Sequence, residues 1–517
     1  MPEVAAADAQ APSVLTFDVG TSSVRALLYD ARANAIAGSA AQLSHEMTTT
    51  PDGGVFCDAA ALFDRTATAI DRALATAGDA GKQIAAVASD TFWHNVLGVD
   101  ADGAAITPVY TWADTRSDAA ATQLRHELDE RAVHARTGCM IHPMYLPAKL
   151  RWLADAEPDA MCRAKYWMSF AEYFAFRCFG RRACSLSMAS GTGLLDLNGK
   201  TWDETVLAAL PINGDQLSPL VDVDEPMQGL SPEFARRWPA LANLPWYPSI
   251  GDGAASNIGS GGVDDERIAI NAGTSTAMRL VIRAASVTVP DGLWAYRVDG
   301  SHFVVGGAES NGGNVWAWLN ERLRLADEPT VERAIAAMLP DSHGLTVLPF
   351  LAGERSPNYN ARARGAITGM HLDTTGPEIA RAFIEAMSYR LGFMHRIIAD
   401  AYPQAKEIIV SGSALLHSAV WMQILADVLG KPLVVSGEAE ATSRGAALIA
   451  LANIGALRSW ADAPAPLGAM IQPNMAVHRV YCAAMERQQR LYDAVVPPRT
   501  AQGSASVGTE CETVIGA

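Results

Sequence analysis

Two places in this 517-residue chain set a glycine and several hydroxyl side chains between apolar runs. The first is Asp18-Val19-Gly20-Thr21-Ser22-Ser23, the second Asn271-Ala272-Gly273-Thr274-Ser275. A turn between two strands exposes successive backbone N–H groups. Glycine lets a ligand approach closely, and Thr and Ser add hydroxyl donors. Such a turn can hold phosphate oxygens, although a hairpin with ordinary turn residues explains either copy taken alone. The copies echo over a longer stretch, "FDVGTSSVRALL" (17–28) against "INAGTSTAMRLV" (270–281). Both read as strand, Gly-Thr-Ser turn, strand, which predicts a duplication with two phosphate-holding turns on opposite walls of a cleft. Asp18 in the first copy is Asn271 in the second. An acid beside polyphosphate makes sense with Mg²⁺ between them, and an acid at a strand end is also common without one. The usual phosphate loop is missing: Gly193 to Thr201, "GLLDLNGKT", has one residue too many, and no GxGxxG follows the first strand.

The elements that must carry these turns are legible from periodicity. Apolar and β-branched runs predict strands at 14–18, 24–29 and 84–88. Helical spacing predicts helices over 60–78, 379–398 and 414–430, with a closing helix at 475–496. The methionines of 379–398 read as core packing. Alternating strands and helices give an α/β class, and the length calls for two large domains. The Pro-rich stretch 211–250 marks the junction. The expected division is a loose leader 1–12, a first domain 13–249, a second domain 250–497 and a disordered tail 498–517.

The composition narrows the partners. A net charge of −16 and a pI near 5.1 repel nucleic-acid backbones while leaving an anionic small substrate open to local donors. Seven scattered cysteines without a CxxC pair predict free thiols in a reducing cytoplasm. The N-terminus has no basic start or apolar core, so no signal peptide is expected. No apolar run approaches a membrane span.

In order along the chain, "DVGTSSVR" (18–25), "WADTR" (112–116), "GDGAASNIGSG" (251–261), "NAGTS" (271–275), "GGNVWAWL" (312–319), "LPFLAGERSP" (348–357), "VSGSALLHSAVWMQILADVLGKP" (410–432) and "EATSRGAALIA" (440–450) resemble the FGGY carbohydrate kinases. The resemblance runs from about residue 13 to 455. It implies two actin-like (ribonuclease H-like) α/β domains, each a mixed β-sheet flanked by helices, with ATP and Mg²⁺ in the interdomain cleft. Within the family, "GCMIHPMYLPAKLRWL" (138–153) is most similar to gluconokinases. Ser413 stands where the family usually carries the second of two glycines.

The implied reaction is ATP-dependent phosphorylation of a sugar or sugar acid, D-gluconate first and D-xylulose or another ketose or polyol second. Asp252 in "IGDGAAS" is the implied general base, with Gly251 and Gly253 leaving room for substrate. An Asp serving as helix N-cap is the alternative. Asp18 positions Mg²⁺, while Thr21, Ser22, Ser23, Gly273 and Thr274 hold phosphates. Gly313, Gly412, Ser413 and Ala414 line the nucleoside site. Arg25 either brings charge to the turn or points at solvent.

His94 aligns with a substrate-contacting His of related pentulose kinases. Trp112, Asp114 and Arg116 alternate on an extended segment and would share one sugar-facing side. A core Trp with a nearby ion pair fits them equally well. A gluconate carboxylate would meet Arg116, His142 or Lys149, although Lys149 near a helix start also reads as solvated. Glu354 and Arg355 read as a structural ion pair or hinge element. The expected partner is a small sugar or sugar acid, the expected assembly a homodimer. A non-catalytic sugar or nucleotide sensor and an actin-like filament protein are the rivals on the same scaffold.

Overall fold

A computed structural model describes residues 3–497, so the tail expected at 498–517 lies outside the described residues. The first sheet is built from β1 (Glu3–Val4), β2 (Ser13–Val19), β3 (Ser23–Tyr29), β4 (Ala35–Ile36), β5 (Ala41–Ser44), β6 (Ile84–Thr91) and β7 (Ile250–Gly251). Its order is β1-β4-β3-β2-β6-β7, with β5 also on β3. β2 runs antiparallel to β3 and parallel to β6, so the sheet is mixed. The second sheet comprises β8 (Arg267–Ala272), β9 (Thr276–Arg283), β10 (Trp294–Arg297), β11 (His302–Glu309), β12 (Glu407–Ser411), β13 (Leu433–Ser436) and β14 (Leu467–Ile471), in the order β10-β11-β9-β8-β12-β13-β14. Its centre repeats the first: β8 is antiparallel to β9 and parallel to β12. The sequence echo is therefore an echo of topology.

The period of two decides which way the chemistry points. On β2, Leu15, Phe17 and Val19 enter a core with Leu62, Phe63 and Ile70 of helix α1 (Ala59–Thr76). Val14, Thr16 and Asp18 take the other face. The remaining helices that matter are α2 (Leu146–Ala156), α3 (Asp252–Gly259), α4 (Gly313–Leu323), α5 (Gly376–Ala401), α6 (Ser413–Leu416), α7 (Ala419–Leu429), α8 (Ala441–Asn453) and α9 (Met475–Val495). α8 lies against β2 and β6 on the Asp18 face and crosses α3. The crossing is backbone-close: a Cβ on Gly445 would run into the Ala255 carbonyl, and one on Gly259 into that of Ala441. The small residues of "EATSRGAALIA" make this junction between the lobes.

Several expectations change. The leader is not loose throughout, because β1 pairs with β4. β7 pairs with Asp90–Thr91, so the first sheet ends just beyond the expected boundary at 249. The single helix expected over 414–430 is two: the Ser418 side chain accepts the Trp421 N–H at 3.0 Å and starts α7 afresh. The six cysteines among the described residues are free.

Candidate functional site

The two hairpin turns face one cavity of about 460 Å³ between the lobes, lined by Asp18 and Gly20 to Ser23 from one side and by Asn271 and Gly273 to Ser275 from the other. The turns are not identical. Val19 pairs with Val24, leaving four residues in the first turn, while Ala272 pairs with Thr276, leaving three in the second. One residue fewer flips every later side chain to the opposite face. Arg279, aligned with the core residue Ala26, therefore lies opposite Ala269 on the Asn271 face and lines the cavity. Arg279 is a site residue that sequence reading missed. Only the turn length reveals it.

Asp252 occupies the first position of α3, at the cavity wall. Gly251 is the N-cap, so Asp252 does not serve as the cap. Its carboxylate accepts the Trp93 N–H at 3.3 Å. Burial raises its pKa, and the Arg279 charge and the Trp93 N–H pull it back. The room above Gly251 and Gly253 is taken by the Trp93 indole, not by substrate. The Arg279 guanidinium carbon is 3.2 Å from where a Gly253 Cβ would lie.

Asp18 and Asp90 are register partners at neighbouring parallel strand ends. Burial lifts Asp18 to about 6. Burial and then the Asp18 charge hold Asp90 well above the usual carboxylate range. Neither buried Asp90 oxygen meets an N–H donor among the described residues. Two desolvated carboxylates with unused oxygens are a hard-oxygen donor set that fits Mg²⁺. Arg25 sits opposite Asp18 and is ion-paired with Glu440 of the other lobe, not with solvent. A second carboxylate–imidazole group, Asp341, His343 and Glu385, is already neutralised: Arg487 pairs with Asp341, and Arg381 and His343 with Glu385.

The nucleoside-side residues gather behind the second turn. The Gly313 N–H donates to the Gly273 carbonyl at 2.9 Å, and a Cβ on Gly313 would meet Ala414. Gly412 has φ +93° and its Cα abuts the Ala272 backbone, so glycine is required there. Ser413 is the first residue of α6, where no left-handed backbone is needed, which explains a serine at this place.

The opposite end of the cavity has aromatic walls: Trp93, Trp112, Trp294, Tyr296 and Tyr359, with His94 and Met144. His94 has φ +57°, an uncommon backbone that turns its ring into this wall. Its Nδ1 faces the Gly191 carbonyl, so Nδ1 carries the proton and Nε2 is a free acceptor. Burial pushes the ring down to about 3, hence neutral.

Trp112, Asp114 and Arg116 do not share a face: the chain bends in turns at 112–113 and 116–117, and of the three only Trp112 lines the cavity. Asp114 is buried and holds Arg116 in a two-pronged ion pair, Nη2 to Oδ2 at 2.6 Å, and Arg116 lies 4.5 Å over the Trp152 ring. Neither is free for a ligand. Lys149 on α2 is not solvated: it is buried, and its Nζ donates to the Pro143 carbonyl at 2.6 Å and the Asp114 carbonyl at 3.1 Å. It ties together the loops bearing Trp112 and His142. Burial lowers it to about 7.

His142 is buried, accepts the Met144 N–H on Nδ1 at 3.2 Å, and lines an adjoining cavity of about 620 Å³. Glu354 and Arg355 diverge instead of pairing. Glu354 meets Arg390 at 2.5 Å, whereas Arg355 donates to the Glu309 carbonyl at 2.9 Å, lies 5.4 Å from the Trp112 ring and lines both cavities.

Known proteins match this architecture closely. The gluconokinase of Bacillus subtilis (strain 168) is 30% identical over 390 residues, 73% of this chain and 76% of that protein. The glycerol kinase of Leptothrix cholodnii is 29% identical, over 90% of this chain and 94% of that protein. The solved gluconate kinase of Lactobacillus acidophilus superposes with a TM-score of 0.84 at 25% identity, covering 93% of this chain and 98% of its own. Residues 13–259 match the N-terminal domain of one family and residues 268–454 its C-terminal domain, in that order. Two such matches, laid over two lobes of repeated topology, make this chain a member of the FGGY family of carbohydrate kinases, phosphotransferases that take their phosphoryl group from ATP.

Proposed function

We propose that this chain phosphorylates a terminal hydroxyl of a sugar acid, D-gluconate first, to give 6-phosphogluconate. The observation that carries the reading is one cavity with Asp252 on its wall, hydroxyl-bearing turns at one end and an aromatic enclosure at the other. Thr21, Ser22, Ser23, Gly273 and Thr274 hold the phosphates, and Gly313, Gly412, Ser413 and Ala414 border the nucleoside. Ionised Asp252 takes the proton of the acceptor hydroxyl. That oxygen bonds to the γ-phosphorus as the bond to the β,γ-bridging oxygen breaks, and ADP leaves with the electron pair. Asp18, with Asp90 behind it, would hold Mg²⁺, which would neutralise charge at the phosphates. His94 Nε2 accepts a sugar hydroxyl, and Trp112 packs on the carbon chain. The Arg25–Glu440 pair bridges the lobes, and closure of the lobes around the ligands would keep water out.

Similarity to the Bacillus subtilis gluconokinase supports gluconate. A second reading is a neutral ketose or polyol, favoured by the aromatic walls and by the near-complete overlap with a glycerol kinase. A coupled ADP-release screen over gluconate, xylulose, ribulose, glycerol and glucitol decides between them. Gluconate turning over at least tenfold more efficiently than any neutral compound supports the first reading, and the reverse order overturns it.

A further inference from the structure

Three buried nitrogens around the sugar end have no hydrogen-bond partner among the described residues: Nε of Arg279, Nε of Arg355 and Nε2 of His142. His142 Nδ1 accepts a backbone N–H, so Nε2 carries the ring proton. All three are donors. Asp252 lies near Arg279 and Glu309 near Arg355, but neither carboxylate hydrogen-bonds these nitrogens. A buried donor left unsatisfied costs about 1–3 kcal/mol, so three around connected cavities indicate a missing acceptor.

Their placement indicates where that acceptor lies. Arg279 is beside Asp252, at the reacting end. Arg355 lines both cavities, and His142 lines the outer one with it. Two of the acids nearby are already engaged. Glu354 pairs with Arg390 and Asp118 with Arg362. Glu309, near both Arg390 and Arg355 and with neither oxygen hydrogen-bonded, is pushed up to about 8 by burial, toward the neutral form, which weakens its hold on the Arg355 charge. Arg116 and Lys149 are committed elsewhere.

Building on the sugar-acid reading, we propose that Arg355 and His142 receive the substrate carboxylate while its far hydroxyl lies at Asp252, which makes the site selective for aldonates over neutral polyols of the same length. Arg355 contributes charge and its free Nε–H, and His142 a neutral N–H, so the carboxylate gains two donors that otherwise stay unpaired.

The test compares gluconate with glucitol, its neutral alcohol counterpart, on the full-length protein. Calorimetry on the wild type should show gluconate binding about 100-fold tighter than glucitol. Equal affinities overturn the proposal without any variant. In the Arg355→Gln protein the ratio of kcat/KM for gluconate over glucitol should fall about 100-fold, and Arg355→Lys should recover part of the loss. An unchanged ratio in Arg355→Gln, with gluconate still the better wild-type substrate, overturns this assignment and leaves the sugar-acid reading standing. A wild type active only on neutral compounds overturns both.

Discussion

Asp18 and Asp90 project from the same face of adjacent parallel strands, and the oxygens of the inner one, Asp90, meet no N–H donor among the described residues. A like-charged buried pair is unfavourable until a cation or a proton joins it. Asp90→Asn should therefore raise the Mg²⁺ concentration for half-maximal activity about tenfold. It should also stabilise the metal-free protein. The folded-state pKa of Asp90 lies above its ordinary 3.8, so the unfolded chain holds fewer protons between the two values and stability falls as pH rises through that window. Thermal melts in chelator should show this decline in the wild type and a flatter profile in Asp90→Asn. Identical profiles would count against the buried-pair account.

Among the described residues, Asp18 and Asp252 are the carboxylates lining the cavity between the turns and the aromatic wall. Asp252→Asn should lower kcat by about 10³-fold, within the range for losing a general base. ATP affinity measured by calorimetry should change less than threefold. Near-wild-type turnover would remove Asp252 from the role of base.

Arg279 acts on that base through charge. Burial raises the Asp252 pKa and Arg279 opposes it, so replacing Arg279 with Met lifts the pKa further. The base works only when ionised. The acid limb of the kcat/KM–pH profile should thus move to higher pH, and Arg279→Lys should move it less. A limb that stays in place in Arg279→Met would show that the two charges do not communicate.

Lys149 connects the loops of Trp112 and His142 from below. Lys149→Met leaves two carbonyls without their donor and should cost about 2 kcal/mol of stability. KM for the sugar should rise more than KM for ATP, because Trp112 stands in the aromatic wall of the cavity. Equal rises in the two constants would argue for a general loss of folding.

The sequence by itself determined the α/β class, the repeated strand–turn–strand units and their order along the chain. These features are local: apolar period sets strand or helix, and Gly, Thr and Ser mark the turns. It also brought Asp18, Asp252 and the two turns to notice, since each lies at the end of an element whose direction the period fixes. Tertiary structure alone decided where the long polar side chains go. Arg279 faces the cavity because its turn is one residue shorter, which aligned letters do not reveal. Arg116 and Lys149 were expected at the ligand, yet Asp114 and two carbonyls from neighbouring loops claim them. Arg355 was expected to pair with Glu354, but Arg390, remote in sequence, takes that carboxylate and leaves Arg355 to the cleft. A flexible charged side chain turns toward whichever partner the folded chain brings near, and that partner is set by packing between distant segments.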